Sequence, residues 1–418
     1  MLSWNTVIKR VLGVYAKLRC SRIFWRDRRV VSFFSEPPYS GNARALYEYM
    51  KHEGVDKRYG LELVWLVQSK EWENILKRYG VDACYVRRYE CIRMYLCSRV
   101  HVADTFIMNV RRFVKGPRTI FLLTWHGIPF KTVLRHCWPQ EVNRIVDYSI
   151  ATSTYTAMLT AASVGICPAK IRVTGYPRND RLLLRTRREA LQILSQVLGR
   201  DVNNFERIIL YAPTYRHGDA IVGREYVEGA PMDTLANIPL DYLRELDRVL
   251  ERYRALLIVK YHHIDEIYYE RKATRLFEER IRGLQTHNIR LVTSSELGRI
   301  ASDVYDIFPA IDVLITDYSS IFYDYLLLDR PVIFYMYDLE KYIKDRGLII
   351  DVEALPHYVP GPIAKTPRQL IELVRRVLED GDIEADKRRA LTRLVHRYRD
   401  SGSSRRVWEQ IVKKHVAD

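Results

Sequence analysis

Val313-Leu314-Ile315-Thr316-Asp317-Tyr318-Ser319-Ser320-Ile321-Phe322-Tyr323-Asp324 passes from one apolar run through a polar turn into another. An unbroken Val-Leu-Ile run reads as a strand buried on both faces, since a half-exposed strand would alternate. The turn then opens a helix, expected over Ile321–Leu328. A serine at a helix start caps free backbone N–H groups. The same N–H groups, with the helix dipole and two hydroxyls, form an anion site suited to a diphosphate. A plain cap would employ one serine and leave the second serine and Thr316 without a task.

Working outward, the same grammar recurs. Strands are expected at Arg29–Phe33, Leu61–Val67, Arg99–Ala103, Thr119–Thr124, Tyr148–Ala151 and Lys170–Val173 in the first half. In the second half they are expected at Arg207–Tyr211, Ala255–Val259, Ile289–Val292, Asp312–Ile315 and Pro331–Phe334. Helical stretches separate them: Ala43–Lys51, Lys70–Arg78, Leu240–Tyr253 and Glu266–Arg282, with Thr366–Leu378 and Glu384–Val416 at the end. Apolar strands alternating with helices predict an α/β protein with parallel sheets covered on both faces. The 418 residues suit two or three domains at about 150 residues each. The expected division is 1–29, a basic amphipathic segment; 30–190 and 191–380, two doubly wound Rossmann-like domains; and 381–418, C-terminal helices packing across them. Two such domains facing a central cleft would line it with the carboxyl ends of strands, where open α/β sheets bind ligands.

Composition excludes several classes. With 48% hydrophobic and 28% charged residues the chain is globular rather than disordered. No apolar run approaches the roughly 18–20 residues of a spanning helix, so a channel is excluded, and no secretory leader is evident. Cysteines at 20, 84, 91, 97, 137 and 167 form no C-x-x-C pair, which fits reduced thiols rather than a zinc site or disulfide framework. The excess of 67 Lys and Arg over 51 Asp and Glu gives +16 and suggests a polyanionic partner. No zinc-finger spacing, RNP-like motif or basic heptad points to nucleic acid. Within the first 29 residues, eight Lys and Arg accompany apolar residues at Trp4, Val7, Ile8, Val11, Leu12, Tyr15 and Leu18. That spacing makes one apolar stripe, suited to an anionic membrane surface or to docking on the protein itself.

Further polar loops follow expected strands. Thr124-Trp125-His126-Gly127-Ile128-Pro129 places a histidine after a buried run, where it is either a general base or a hydrogen-bonded loop residue. Leu257-Ile258-Val259-Lys260-Tyr261-His262-His263 ends a strand with Lys260 and His262, which share a face if the chain stays extended and would then clamp a phosphate. Adjacent His262 and His263 lack a carboxylate at metal-binding spacing, so no metal site is expected. Pro213-Thr214-Tyr215-Arg216 and Pro177-Arg178-Asn179-Asp180 add hydroxyl, guanidinium and amide groups. There is no Walker loop and no G-x-G-x-x-G, which disfavours an NTPase or dinucleotide oxidoreductase. A nucleoside diphosphate conjugate fits these loops together.

These motifs resemble the CDP-glycerol glycerophosphotransferase family of teichoic acid synthesis. The resemblance rests on T-W-H-G-I-P at 124–129, G-Y-P-R-N-D at 175–180, Y-A-P-T-Y-R at 211–216, K-Y-H at 260–262, L-I-T-D-Y-S-S-I-F-Y-D at 314–324 and D-R-P-V-I-F-Y at 329–335. It covers roughly residues 30–415 in one order, with Ile128 and His263 as departures from the family's usual Thr and Pro. It implies a GT-B architecture and transfer of glycerol phosphate from CDP-glycerol to a hydroxyl of a lipid-linked acceptor at the cytoplasmic face of the membrane, with CMP released. No tightly bound cofactor is implied. Carried over by position, His126 is the base and His262 a second essential histidine. Arg178, Pro213, Thr214, Lys260, Ser319, Ser320 and Asp324 bind the donor. Trp125, Gly127, Ile128, Pro129, Arg216, Tyr261 and Thr316 complete the expected substrate-contacting set. The rivals are a nucleotide-sugar GT-B glycosyltransferase, a CDP-ribitol-dependent enzyme and a non-catalytic polyanion-binding module.

Overall fold

The computed structural model describes residues 29–105, 119–130, 139–215, 234–235, 237–263, 266, 286–345, 347–349, 351, 353–382 and 384–417. The basic segment expected at 1–29 lies outside them except for Arg29, as do Arg216 and nearly all of the helix expected at Glu266–Arg282. The chain forms two compact units, one from Met1–His126, Cys137–Asp180 and Asp400–Asp418, the other from Gly127–His136 and Arg181–Arg399.

In the first unit seven strands form one parallel sheet: β1 (Val30–Phe34), β2 (Glu62–Val67), β3 (Ala83–Tyr85), β4 (Val100–Ala103), β5 (Ile120–Leu123), β6 (Tyr148–Ala151) and β7 (Ile171–Val173). Their order is β3-β2-β1-β4-β5-β6-β7. β1 reads Val-Val-Ser-Phe-Phe and is buried at every position, as a central strand covered on both faces must be. Its one polar residue, Ser32, is satisfied by the His101 ring on β4, Oγ to Nδ1 2.5 Å. Phe33 stacks on Trp65 with ring centroids 5.9 Å apart.

The second unit repeats the plan with β8 (Arg207–Ala212), a short antiparallel pair β9 (Thr234–Leu235) and β10 (Ile238–Pro239), then β11 (Ala255–Val259), β12 (Ile289–Leu291), β13 (Val313–Thr316), β14 (Val332–Tyr335) and β15 (Ile363–Ala364). The main sheet runs β12-β11-β8-β13-β14-β15, and its registered pairs are parallel. Helix Leu240–Arg252 buries Leu243, Leu246 and Leu250 in the core beside β11, the three-and-four spacing that makes one apolar stripe. In both sheets the first strand lies between the second and the fourth, so strand order reverses beside β1 and again beside β8. That reversal opens a crevice at the strands' carboxyl ends.

Ion pairs fasten elements of the second unit. Arg187 grips Asp312 with both guanidinium nitrogens at 2.9 Å, and Asp312 also accepts from Ile208 N–H at 2.8 Å. Arg388, on helix Ala385–Val395, is fully buried. Its Nε donates to Asp329 Oδ1 at 3.0 Å, one Nη to Asp382 Oδ1 at 2.8 Å and the other to the Asp329 carbonyl at 3.2 Å.

The helix expected over Glu384–Val416 is interrupted. It stops at Val395 and resumes at Ser403, because the Asp400-Ser401-Gly402 turn intervenes. Strand β3 escapes a pattern reading because three residues are too few to show a period. Among the described residues no helix is long and apolar enough to cross a membrane.

Candidate functional site

Each unit carries a cluster of polar side chains where its strand order reverses. In the first unit, β4 runs into Asp104 and β5 into Thr124-Trp125-His126. Asp104 is buried. Its Oδ1 accepts from Ala43 N–H at 3.1 Å, at the start of helix Gly41–His52, and from the Thr124 hydroxyl. Gly41 is in the left-handed region at φ 67°, and a Cβ there would run into the Asp104 carboxylate, so only glycine fits. Fully buried Asn42 donates to the Thr124 and Trp125 carbonyls at 3.1 and 2.9 Å and accepts from Arg178 N–H at 3.2 Å. Trp125 is buried with φ 56°, a conformation costing a bulky residue about 1–3 kcal/mol and kept only where the surroundings impose it. His126 is exposed, stands 4.2 Å from the Trp125 ring and directs Nδ1 to the Asp104 carbonyl at 3.5 Å. Donation from Nδ1 makes Nε2 the basic nitrogen.

Arg178 is buried, its guanidinium 4.9 Å from the Tyr176 ring. The G-Y-P-R-N-D segment that carries it opens helix Pro177–Leu184 and is anchored by the C-terminal segment. Asp180 accepts from Ser403 and Ser404 N–H at 2.9 and 2.7 Å, and Arg406 Nε donates to the Thr174 carbonyl at 2.7 Å.

Burial pushes the Asp104 carboxyl up to about 7, against the hydrogen bonds from Thr124, Ala43 and Asn42 and the attraction of Arg178. The folded protein therefore holds a proton that the unfolded chain has already released between pH 4 and 7. The stability gained from this group is full below its ordinary carboxylate value and is lost as pH rises through about 7. Urea titrations at pH 5 and pH 7.5 should show a smaller pH-dependent loss in Asp104→Asn than in the parent. Equal losses would exclude Asp104 as the titrating group.

In the second unit, adjacent strands β11, β8 and β13 deliver His262, Pro213-Thr214 and Ser319-Ser320 in turn. Fully buried Asp317 binds two of these loops together, its Oδ1 accepting from Thr214 N–H at 2.8 Å and Tyr318 N–H at 2.6 Å. Thr316 turns inward and donates to the Ala212 carbonyl at 2.8 Å, fixing β13 to β8. Tyr215 and His262 lie with ring centroids 4.9 Å apart. Ser320 precedes helix Ile321–Tyr325, but its side chain makes no capping bond, and among the described residues neither the Ser319 nor the Ser320 hydroxyl has a partner. Both residues are half-buried, so these hydroxyls are available to a ligand.

Several expected residues have a different setting. The strand ends at Val259 and a helical turn opens beyond His262, whose carbonyl accepts from Glu266 N–H at 3.1 Å, so Lys260 and His262 lie on the connecting loop rather than on the strand. Lys260 Nζ donates to the Tyr261 carbonyl at 2.9 Å and Ser294 Oγ at 2.8 Å and pairs with Glu266 at 3.5 Å, which commits its charge to holding this turn. Asp324 is fully buried and accepts from the Tyr305 hydroxyl at 3.0 Å. Through this bond it braces the helix that follows the Ser319-Ser320 turn. Tyr261 and Ile128 are also buried. The 124–129 motif is divided, with Thr124–His126 in the first unit and Gly127, Ile128 and Pro129, all buried, in the second. There Phe130 meets Phe322 and Tyr323 with ring centroids 5.5 and 6.1 Å away. Among the described residues no three His, Cys, Asp or Glu side chains gather as a metal site. Asn42, Asp104 and Asp317 were not among the expected site residues.

Two doubly wound parallel sheets, each with a polar crevice at its strand reversal, define a GT-B-like transferase. A structure of the wall teichoic acid polymerase TagF matches with a TM-score of 0.70 and 20% identity, covering 98% of each chain. The family model for CDP-glycerol:poly(glycerophosphate) glycerophosphotransferases matches residues 16–413, and the chain belongs to that family. It is 26% identical to the teichoic acid glycerol-phosphate transferase of Staphylococcus aureus, over 91% of each chain. It is also 26% identical to the teichoic acid ribitol-phosphate primase of Bacillus spizizenii, over 96% of this chain and 95% of that one.

Proposed function

We propose that this enzyme transfers glycerol phosphate from CDP-glycerol to a hydroxyl of a lipid-linked acceptor at the cytoplasmic face of the membrane, in the synthesis of a teichoic-acid-like polymer. The observation that carries the donor assignment is the pair of hydroxyls, Ser319 and Ser320, that have no partner among the described residues at the strand reversal of the second sheet. The acceptor hydroxyl gives its proton to His126 Nε2 and its oxygen bonds to the glycerol-bearing phosphorus. The phosphoanhydride bond breaks in line and the electron pair leaves with CMP. Ser319, Ser320, Thr214 and His262 bind the diphosphate oxygens, and Arg178 offsets charge developing on the transferred group. Asp317, Lys260 and Asp324 shape the loops that carry these groups. The basic residues 1–29 supply attraction to anionic lipid.

The decisive experiment incubates the purified chain with acceptor in anionic vesicles and, separately, CDP-glycerol, CDP-ribitol and UDP-sugars, measuring released nucleotide and product length together. CMP formed from CDP-glycerol in step with acceptor extension is the expected result. Release from a UDP-sugar alone would refute the reading. Activity with CDP-ribitol alone would move the chain beside its ribitol-phosphate relative. Replacing Ser319 and Ser320 together by alanine should weaken CDP-glycerol binding by at least about 10–100-fold in calorimetry, the worth of one hydrogen bond to a charged group. Undiminished affinity would place the diphosphate elsewhere.

A further inference from the structure

We infer that Asn42 is a positioning residue for the transfer reaction, holding in place the backbone that presents His126. This rests on the reading of His126 as the base. The peptide carbonyls of Thr124 and Trp125, the two residues just before His126, both accept from Asn42 Nδ2, at 3.1 and 2.9 Å. The Asn42 oxygen accepts from Arg178 N–H at 3.2 Å, which fixes the orientation of the amide. Its three bonds join segments 82, 83 and 136 residues away in the chain, and the side chain is fully buried.

The job requires a particular residue. The side chain must donate twice and accept once within one planar group on a single methylene, and only asparagine does so. Aspartate would set a carboxylate against two carbonyl oxygens, and serine would be too short to span them. The clamp closes on Trp125, which holds its left-handed conformation at φ 56° where a free chain would relax and swing the next side chain away. Asp104 reinforces it from the other side through the Thr124 hydroxyl and the carbonyl facing His126 Nδ1. The base therefore stands on the first turn of helix Gly41–His52, and its placement does not rely on the loop alone.

The test is a double-mutant cycle on the full chain with vesicle-borne acceptor and CDP-glycerol, using Asn42→Ser and Asn42→Asp in the parent and in His126→Ala. In the parent, each Asn42 substitution should lower kcat by about 10–100-fold and shift the acid limb of the kcat–pH profile, which belongs to the base. In the His126→Ala background the same substitutions should change residual turnover by less than about twofold, since the residue they position is gone. Near-ultraviolet circular dichroism gives the folded fraction used to normalise kcat, and Asn42→Ser carries the test if the carboxylate variant does not fold. An equal loss in both backgrounds, with His126→Ala itself impaired, overturns the inference alone by making Asn42 a general structural residue. An unaltered kcat and pH profile in folded Asn42→Ser also overturns it. A fully active His126→Ala removes the base assignment and the inference with it.

Discussion

His126→Ala should lower turnover by about 10²–10⁴-fold, the usual worth of a positioned general base, while CDP-glycerol affinity and the unfolding midpoint stay close to those of the parent. The selectivity follows from the side chain's setting. His126 is exposed and its hydrogen bond to the Asp104 carbonyl is long, 3.5 Å, so its removal takes little from the core. The proposed donor groups Thr214, His262, Ser319 and Ser320 belong to the second unit, and N–H bonds to Asp317 and adjacent strands of that unit hold their loops. Single-turnover rates with saturating donor, paired with calorimetry, separate the chemical step from binding. Turnover within a few-fold of the parent would exclude His126 from proton transfer. A fall in donor affinity matching the fall in rate would make it a binding residue.

Arg388→Ala should cost the second unit about 3 kcal/mol. The guanidinium is fully buried and makes charge-assisted bonds to Asp329 and Asp382 as well as one to the Asp329 carbonyl. Removing one partner of a buried ion pair typically costs about 3–5 kcal/mol. The lower end applies because the Asp329 and Asp382 side chains are 42% and 27% exposed, so water takes over part of their solvation. Asp329 sits at φ 49°, so the arginine also steadies an uncommon backbone conformation. Denaturant melts monitored within the second unit measure the loss. Arg388→Lys should recover part of the charge but not the forked geometry, and should fall between the two. A change below about 0.5 kcal/mol for the alanine variant would show that the pair contributes no net stability.

How much of this was legible in the sequence depended on distance along the chain. β13 and its Asp-Tyr-Ser-Ser turn were readable because every signal lies within twelve residues. The positions of His126 just beyond a strand and of Arg178 just after Gly-Tyr-Pro were readable for the same reason. Asn42 was not. It follows Gly41 at an ordinary helix start, and its partners lie 82 to 136 residues onward, reachable only after the sheet has formed. Asp104 was hidden for the same reason. Lys260 misled in the opposite direction. A lysine after a strand suggested a phosphate clamp, yet Glu266 and Ser294 commit its ammonium internally, and Ser294 is 34 residues away. That Asp324 is buried and accepts from the Tyr305 hydroxyl was out of reach too, because sequence does not say which side of a five-residue helix is covered.

The carboxyl of Asp104, seated against the first turn of helix Gly41–His52, occupies the place where a Rossmann domain ordinarily receives a cofactor's pyrophosphate. The first sheet thus carries an internal stand-in for such an anion. Two copies of one architecture are thereby made unequal: an anion arriving at that helix start in the first unit would meet a carboxyl already in place.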